Sequence, residues 1–187
     1  MKQLAQWISI LAHPFTMVIL LVAVPAVRRS PGDAVHSILL VVVAVLVPVA
    51  LLMFRQVRGG RWSNADASDA SERPVLFGVA LAGLAMALGW VLLDDRQSFL
   101  AQGMLVFAAF LLLATALTRW VKLSLHVAFA TLTATALSLL GSWVGYVLIG
   151  VVPLVFWSRI ALARHRLPEL LVGLVLGAIT GVVLVRL

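Results

Sequence analysis

The chain of 187 residues is 63% hydrophobic and 11% charged, with a net charge of +7 and no cysteine. A water-soluble domain of this length lacks the polar surface needed to cover so many apolar residues, and the missing cysteines exclude disulfides and cysteine metal sites. The basic balance suits anionic lipid headgroups or phosphate, and the sequence shows no nucleic-acid-binding pattern.

Seven apolar runs follow one another along the chain, and they predict transmembrane α-helices. They are Trp7–Val27, Ser37–Phe54, Val75–Leu93, Phe99–Leu117, Leu125–Leu140, Trp143–Trp157 and Leu170–Val185. The fifth and sixth runs are short, but joined as one helix they would be about 50 Å long, too long for one crossing. We therefore place a hairpin at Gly141-Ser142. The prediction is an all-α, polytopic membrane protein with six to seven transmembrane helices in one domain, residues 1–187.

Small residues recur four apart in the last run, at Gly173, Gly177 and Gly181. This spacing lets another helix approach closely, so we interpret these glycines as packing positions.

The segments that flank the predicted spans fall into two sets, one at each membrane face. Ten basic residues lie in the set that includes the N-terminus, and four lie in the other set. The ten on the N-terminal face are Lys2, Arg55, Arg58, Arg61, Arg73, Arg119, Lys122, Arg159, Arg164 and Arg166. The excess predicts that this face is cytoplasmic. Four of the ten are candidate phosphate ligands: Arg73, Arg119, Lys122 and Arg159. Without them, the N-terminal face has six basic residues and the opposite face has four.

Three polar clusters, at residues 66–74, 119–126 and 158–169, each follow an even number of predicted spans. They are therefore expected at the same membrane surface. A single arginine there is adequately explained as an interfacial anchor that snorkels to the headgroups. That explanation is less adequate for His126 and His165, which lack a long flexible stem.

The residues of these clusters resemble the motifs of the type 2 phosphatidic acid phosphatases (the PAP2 superfamily), which share a helical core with vanadium haloperoxidases. Ser158-Arg159-x5-His165 is similar to the start of the third motif, SR-x5-H-x3-D, with Glu169 in place of the aspartate. Ser124-x-His126 resembles part of the second motif, PSGH, and Arg73-Pro74 the end of the first, K-x6-RP. The resemblance covers about 100 residues, in the family's order.

The resemblance implies a PAP2-like core and a role for each matching residue. His165 would be the nucleophile that forms a phosphohistidine, Glu169 would hold its other ring nitrogen, and His126 would protonate the leaving alcohol. The phosphate oxygens would be bound by Arg159, Arg73 and Ser124, with Lys122 and Arg119 as further cations.

Simpler structural roles remain open for several of these residues. Ser124 has the residue type of an N-cap, and Glu169 complements the positive N-terminus of the last helix. His13 falls inside the first predicted span, where we interpret it as structural.

The sequence departs from the family at two motifs. Asp66 stands at the lysine position of the first motif, and Leu123 and Leu125 replace the proline and glycine of the second. A divergent bacterial and archaeal group with D-x-x-D-x-x-x-R and K-x-S-x-H looks similar to this pattern.

Asp66 and Asp69 lie three residues apart, as on the solvated face of a helix. With Asn64 they also resemble the first aspartate-rich motif of the UbiA prenyltransferases, which would bind Mg²⁺. No second such motif lies on the same face, since Asp94 and Asp95 are predicted on the opposite one. We therefore expect no cofactor, with Mg²⁺ at Asp66 and Asp69 as the alternative.

The resemblance implies a membrane enzyme that hydrolyses a lipid-linked phosphomonoester or diphosphate. Polyprenyl phosphates, phosphatidate and phosphatidylglycerophosphate all fit, with a polyprenyl phosphate favoured by family context. The alternatives are a catalytically silent lipid-binding protein on the same scaffold and a Mg²⁺-dependent UbiA-like enzyme. The sequence does not indicate the oligomeric state.

Overall fold

The computed structural model describes residues 1–62, 70–93 and 98–187, and these residues form helices and short connections without a β-strand. The α-helices are α1 Lys2–Leu11, α2 Pro14–Arg29, α3 Ala34–Val41, α4 Val47–Arg58, α5 Arg73–Leu93, α6 Ser98–Leu117, α7 Leu125–Leu139, α8 Trp143–Ala161 and α9 Leu167–Arg186. Single 3₁₀ turns occupy Pro31–Asp33 and Ala70–Glu72, and a π-helical turn, Val42–Leu46, joins α3 to α4.

Six helical segments among the described residues are long and apolar enough to cross a membrane. They are Lys2–Arg29, Pro31–Arg58, Arg73–Leu93, Leu100–Leu117, Trp143–Ala161 and Leu167–Arg186. The prediction of a polytopic helical membrane protein is therefore confirmed. The predicted fifth span is α7, whose 15 residues measure about 22 Å, shorter than a hydrocarbon core of about 30 Å.

The chain divides into two compact units. The first, unit 1, comprises Met1–Ala34 and Arg119–Leu187, and the second, unit 2, comprises Val35–Thr118. The assignment of residues 1–187 to a single domain stays a prediction.

Helix α7 is the central element of unit 1, where it packs against α2, α8 and α9. Almost every residue of α7 from Leu125 to Leu137 is buried. A helix that is apolar on all sides is stable only when other elements surround it. Its neighbours cover α7 in this way, so it does not need the length of a helix that contacts lipid along both leaflets.

Helices α7 and α9 run parallel in very close contact. A Cβ atom added to Gly173 would lie 2.7 Å from the carbonyl oxygen of Ser124, and one added to Gly181 would lie 2.7 Å from that of Leu132. Gly177 meets the carbonyl of Ala128 in the same manner. The interpretation of these glycines as packing positions is confirmed, and the matched steps of four residues fix the register of the two helices.

The predicted hairpin at Gly141-Ser142 is also confirmed. Gly141 has a φ of +67°, a left-handed conformation that glycine adopts at little cost, and Ser142 precedes the first residue of α8. The hairpin places the N-terminus of α7 and the C-terminus of α8 at the same end of unit 1.

Unit 2 contains a local distortion with a clear cause. Pro48 has no N–H group, so it cannot donate the α-helical hydrogen bond to the carbonyl of Ala44, and the backbone takes the wider π-helical turn just before it. Gly83 of α5 packs directly against the carbonyl group of Ala44. The absence of a side chain at Gly83 allows this contact within unit 2.

Candidate functional site

Four segments meet at one end of unit 1: the N-terminus of α7, the C-terminus of α8, the N-terminus of α9 and the break between α1 and α2. The Ser124 N–H donates a hydrogen bond of 3.0 Å to the backbone carbonyl of Glu169. This bond joins the second and third polar clusters directly. These two clusters therefore meet at one end of the helices, as the sequence predicts.

Arg159 lies in the last turn of α8 with its side chain inside the protein. It is 1% exposed, and its Nη1 donates a hydrogen bond of 2.6 Å to the Oγ of Ser9 in α1. A buried guanidinium carries a large desolvation cost, so it requires anionic or polar partners. The interpretation of this arginine as a snorkelling anchor is wrong, because the side chain does not reach the surface.

The chain leaves α8 through a left-handed residue. Ala163 has a φ of +53°, and the Arg164 N–H returns to the carbonyl of Arg159 at 3.0 Å. This arrangement is a Schellman-type helix end, where glycine is usual and another residue costs about 1 kcal/mol. The turn directs the following segment, Arg164–Arg166, back toward the start of α9.

His165 and Glu169 form the close pair that the resemblance implies. The Nδ1 of His165 lies 2.7 Å from the Oε2 of Glu169. Because His165 precedes α9, the contact does not arise from two residues on one helical face; it joins the turn before the helix to the helix's first turn. Glu169 occupies the third position of α9, where its carboxylate also accepts the Arg166 N–H at 3.3 Å. Glu169 therefore complements the helix N-terminus and orients His165 at the same time.

The N-terminus of α7 carries two buried polar atoms without a hydrogen-bond partner among the described residues, Ser124 Oγ and His126 Nε2. Ser124 is 0% exposed and His126 is 3% exposed. Ser124 occupies the N-cap position of α7, yet its hydroxyl makes no capping bond. The N-cap interpretation therefore explains the position of Ser124 but not its side chain.

His126 stands in a positively charged environment, at the second residue of α7, a helix that is not among the six long spans. Burial lowers the pKa of His126 well below its ordinary value, and the positive charge of Arg159 adds to the effect. The neighbouring His13, His165 and Arg164 act in the same direction. His126 is consequently neutral at pH 7, and an anion bound beside it would favour its protonated form.

Two residues of this end, Ser9 and His13, were missed by the sequence-based reasoning. Ser9 contacts Arg159, and the ring of His13 stands edge-on to that of His126 with 5.3 Å between the centroids. His13 is not inside a continuous helix, because α1 ends at Leu11 and α2 begins at Pro14. The signal in the sequence was two polar residues four apart in an apolar run, the second directly before a proline.

The remaining predicted ligands lie in the segment before α7, in unit 2 or outside the described residues. Lys122 is half-buried in the segment before α7, and Arg119 is exposed. Arg73, the first residue of α5 in unit 2, is 1% exposed, which fits neither a snorkelling anchor nor a solvated helix face. Asp66 and Asp69 lie outside the described residues, as do Asn64, Asp94 and Asp95.

In the described ranges, no group of three or more histidine, aspartate or glutamate side chains is arranged to hold a metal ion. The Mg²⁺ alternative concerns Asp66 and Asp69, so it stays a prediction.

Comparisons with family models, with curated proteins and with solved structures give no match to this chain. The resemblance therefore rests on the motifs alone.

Proposed function

We propose that the chain is a membrane phosphatase that hydrolyses a lipid-linked phosphomonoester or diphosphate through a phosphohistidine. A polyprenyl phosphate is the favoured substrate class, and the site would face the cytoplasmic side of a bacterial cell membrane. The residues at one end of unit 1, including His126, Arg159 and His165, support the proposed reaction class. The choice of lipid and of side comes from the resemblance and from the charge bias.

One observation carries the proposal: two buried polar atoms, Ser124 Oγ and His126 Nε2, have no hydrogen-bond partner among the described residues. Leaving a buried polar group unsatisfied costs about 1–3 kcal/mol, so such groups imply a ligand or water that completes them. They lie at the N-terminus of α7, whose N–H groups favour an anion. The nearby Arg159 adds a positive charge, so a phosphate group fits this end of the helix.

The proposed first step transfers the phosphoryl group to His165. The Nε2 lone pair of His165 forms a bond to phosphorus while the bond between phosphorus and the leaving oxygen breaks. Glu169 holds the proton on Nδ1 and stabilises the positive charge that develops on the ring. His126, protonated in the presence of the phosphate, gives its proton to the leaving alkoxide or phosphate oxygen.

The second step releases phosphate. Neutral His126 takes a proton from a water molecule as the water oxygen attacks phosphorus. The bond between phosphorus and His165 then breaks, and inorganic phosphate leaves. Arg159, Ser124 and the first N–H groups of α7 would stabilise the charge on the phosphoryl oxygens in both transition states.

The test is phosphate release from a lipid panel by the purified full chain. The panel contains undecaprenyl phosphate and diphosphate, phosphatidate and phosphatidylglycerophosphate. We expect release from at least one lipid, and a loss of at least about a thousandfold in His165→Ala, because that variant lacks the nucleophile. The matched control is His36→Ala, which removes an exposed histidine at the start of α3 and should keep full activity.

Each contrary result has a distinct meaning. No release by the wild type would favour the silent lipid-binding alternative. Equal release by the wild type and His165→Ala would contradict the phosphohistidine route. A loss of activity with EDTA that Mg²⁺ restores would support the separate prediction for Asp66 and Asp69.

A further inference from the structure

We propose that Ser9 and His13, at the junction of α1 and α2, are positioning residues: Ser9 fixes the guanidinium of Arg159, and His13 fixes the imidazole of His126. The proposal rests on the proposed function for what the two positioned groups do. It adds a fourth segment, from the N-terminal part of the chain, to a site that the sequence pattern places in the 66–74, 119–126 and 158–169 clusters.

The contact between Ser9 and Arg159 is short and buried. Ser9 is 6% exposed, and its Oγ accepts from Arg159 Nη1 at 2.6 Å. A long arginine side chain has many rotamers, and a hydrogen bond from a separate helix selects one of them. Helix α1 packs along α8, so the serine that selects the rotamer is itself held in place.

The contact between His13 and His126 is also defined in geometry. The two rings are nearly perpendicular, at 89°, with 5.3 Å between their centroids. The Nδ1 of His13 accepts the Phe15 N–H at 3.3 Å as the N-cap of α2. A nitrogen that accepts carries no proton, so this bond fixes the tautomer of His13 with its proton on Nε2. A ring that is fixed in position and tautomer restricts the rotation of the ring beside it.

The local sequence explains why both side chains point inward at this junction. Residues four apart on a helix share a face, so Ser9 continues the buried face that begins at Ala5. Pro14 disfavours helical geometry at the residue before it, and His13 is accordingly extended, with a φ of −60° and a ψ of 144°. The chain therefore breaks at His13, and the side chain reaches His126 instead of following α1.

Charged and titratable groups from three other segments also surround His126. Arg159 comes from α8, and Arg164 and His165 come from the connection between α8 and α9. His13 is the contribution from α2 and lies in ring contact with His126. Its removal is therefore expected to change the orientation of His126, while the other groups stay in place.

The first test separates the ring of His13 from its capping role. Asparagine is a good N-cap, so His13→Asn keeps the hydrogen bond to α2 and removes the imidazole. The readout is the imidazole ¹⁵N spectrum of His126 in the full chain, assigned with His126→Gln. We expect one tautomer in the wild type and averaging between two in His13→Asn. His36→Asn is the matched control and should leave His126 unchanged.

The second test concerns Ser9. We expect Ser9→Ala to weaken the binding of inorganic sulfate about tenfold at constant ionic strength and to speed hydrogen exchange at the Arg159 guanidinium. Ser9→Thr keeps the hydroxyl and should restore both. Ser138→Ala is the matched control, because the Ser138 hydroxyl donates a hydrogen bond to the carbonyl of Ala134 within its own helix.

The kinetic readout distinguishes positioning from general folding. Because His126 acts in the transition state, His13→Asn should lower kcat about tenfold with little change in KM. Ser9→Ala should lower kcat/KM about tenfold and also weaken sulfate binding, because Arg159 would contact the phosphoryl oxygens in the bound substrate and in the transition states. A variant that merely loosens the fold would change both parameters and the melting temperature together.

Spectra of His126 and Arg159 that stay unchanged in His13→Asn and Ser9→Ala would overturn the proposal, whether or not the protein is an enzyme. Conversely, altered spectra in a protein that releases no phosphate would support the positioning contacts and contradict only the proposed function.

Discussion

The two ends of α7 each have an arginine nearby, but the arginines are used in opposite ways. At the C-terminal end, the exposed Arg28 donates to the carbonyls of Leu140 at 3.1 Å and Gly141 at 3.3 Å. These are carbonyls that a helix end leaves without partners, so the end is closed by the protein itself. At the N-terminal end, Arg159 is buried, and Ser124 Oγ and His126 Nε2 have no partner among the described residues.

Under the proposed function, this difference assigns the phosphate to the N-terminal end of α7. A helix terminus that is capped by the chain contributes stability and needs nothing further. A terminus whose buried polar groups lack partners within the protein needs another molecule to supply the missing hydrogen bonds.

Arg159→Lys should reduce phosphate release about 10- to 100-fold. Lysine keeps the charge but lacks the planar fork that bonds to Ser9 and to phosphate oxygens, and a charge-assisted hydrogen bond contributes about 1.5–3 kcal/mol. Steady-state kinetics on the best lipid of the panel measure the effect. Activity within twofold of the wild type would remove Arg159 from the site.

Gly173→Ala should destabilise the protein by about 1–3 kcal/mol and lower activity, because the new methyl group would meet the Ser124 carbonyl at 2.7 Å. Thermal unfolding in detergent, followed by tryptophan fluorescence, gives the stability. The matched control is Gly150→Ala in α8, where an added Cβ has nothing within 4 Å. Equal behaviour of the two variants would show that the contact of α9 with α7 does not hold the site.

Sulfate binding should be accompanied by the uptake of up to about one proton per anion, at pH values between the lowered pKa of His126 and its higher pKa in the complex. Burial lowers the pKa of His126, whereas an adjacent anion would raise it, so binding should protonate the ring at pH values between the two. Sulfate affinity should therefore increase as pH falls through that window. Calorimetry in two buffers of different ionisation enthalpy measures the uptake, because sulfate itself does not titrate there. Uptake that persists in His126→Gln would assign the proton to another group.

Arg28→Ala should cost less than about 1 kcal/mol of stability and leave phosphate release unchanged, since its hydrogen bonds are exposed to solvent. Thermal unfolding and the lipid assay, run side by side, check both parts. A loss of activity similar to that of Arg159→Lys would contradict the division of α7 into a structural end and a ligand end.

Apolar runs predicted the helices well because their lengths and compositions directly reflect a hydrocarbon solvent. The glycine spacing of α9 and the turn at Gly141 were likewise readable, since both depend on the absence of a side chain at one position. The sequence pattern did not predict the break at His13 or the π-helical turn before Pro48. In both places a proline in an apolar run was the available signal.

The candidate site was predicted in part. The close pair of His165 and Glu169 follows from the motif spacing, although the capping position of Glu169 was the actual reason for it. The contacts of Ser9 with Arg159 and of His13 with His126 join residues more than 100 positions apart. Local patterns carry no information about such pairs, because packing between helices brings them together.

The apolar content and the spacing of the apolar runs are enough to predict a helical membrane protein, since so few polar residues cannot cover a soluble fold. The sequence also contains the residue types that the proposed phosphate chemistry would use. The packing of the helices, by contrast, establishes that α7 is enclosed by its neighbours, that Arg159 is buried and not at the surface, and that the N-terminal segment contacts Arg159 and His126. Those features depend on the crossing and register of helices, which arise from side-chain packing between segments distant in the chain.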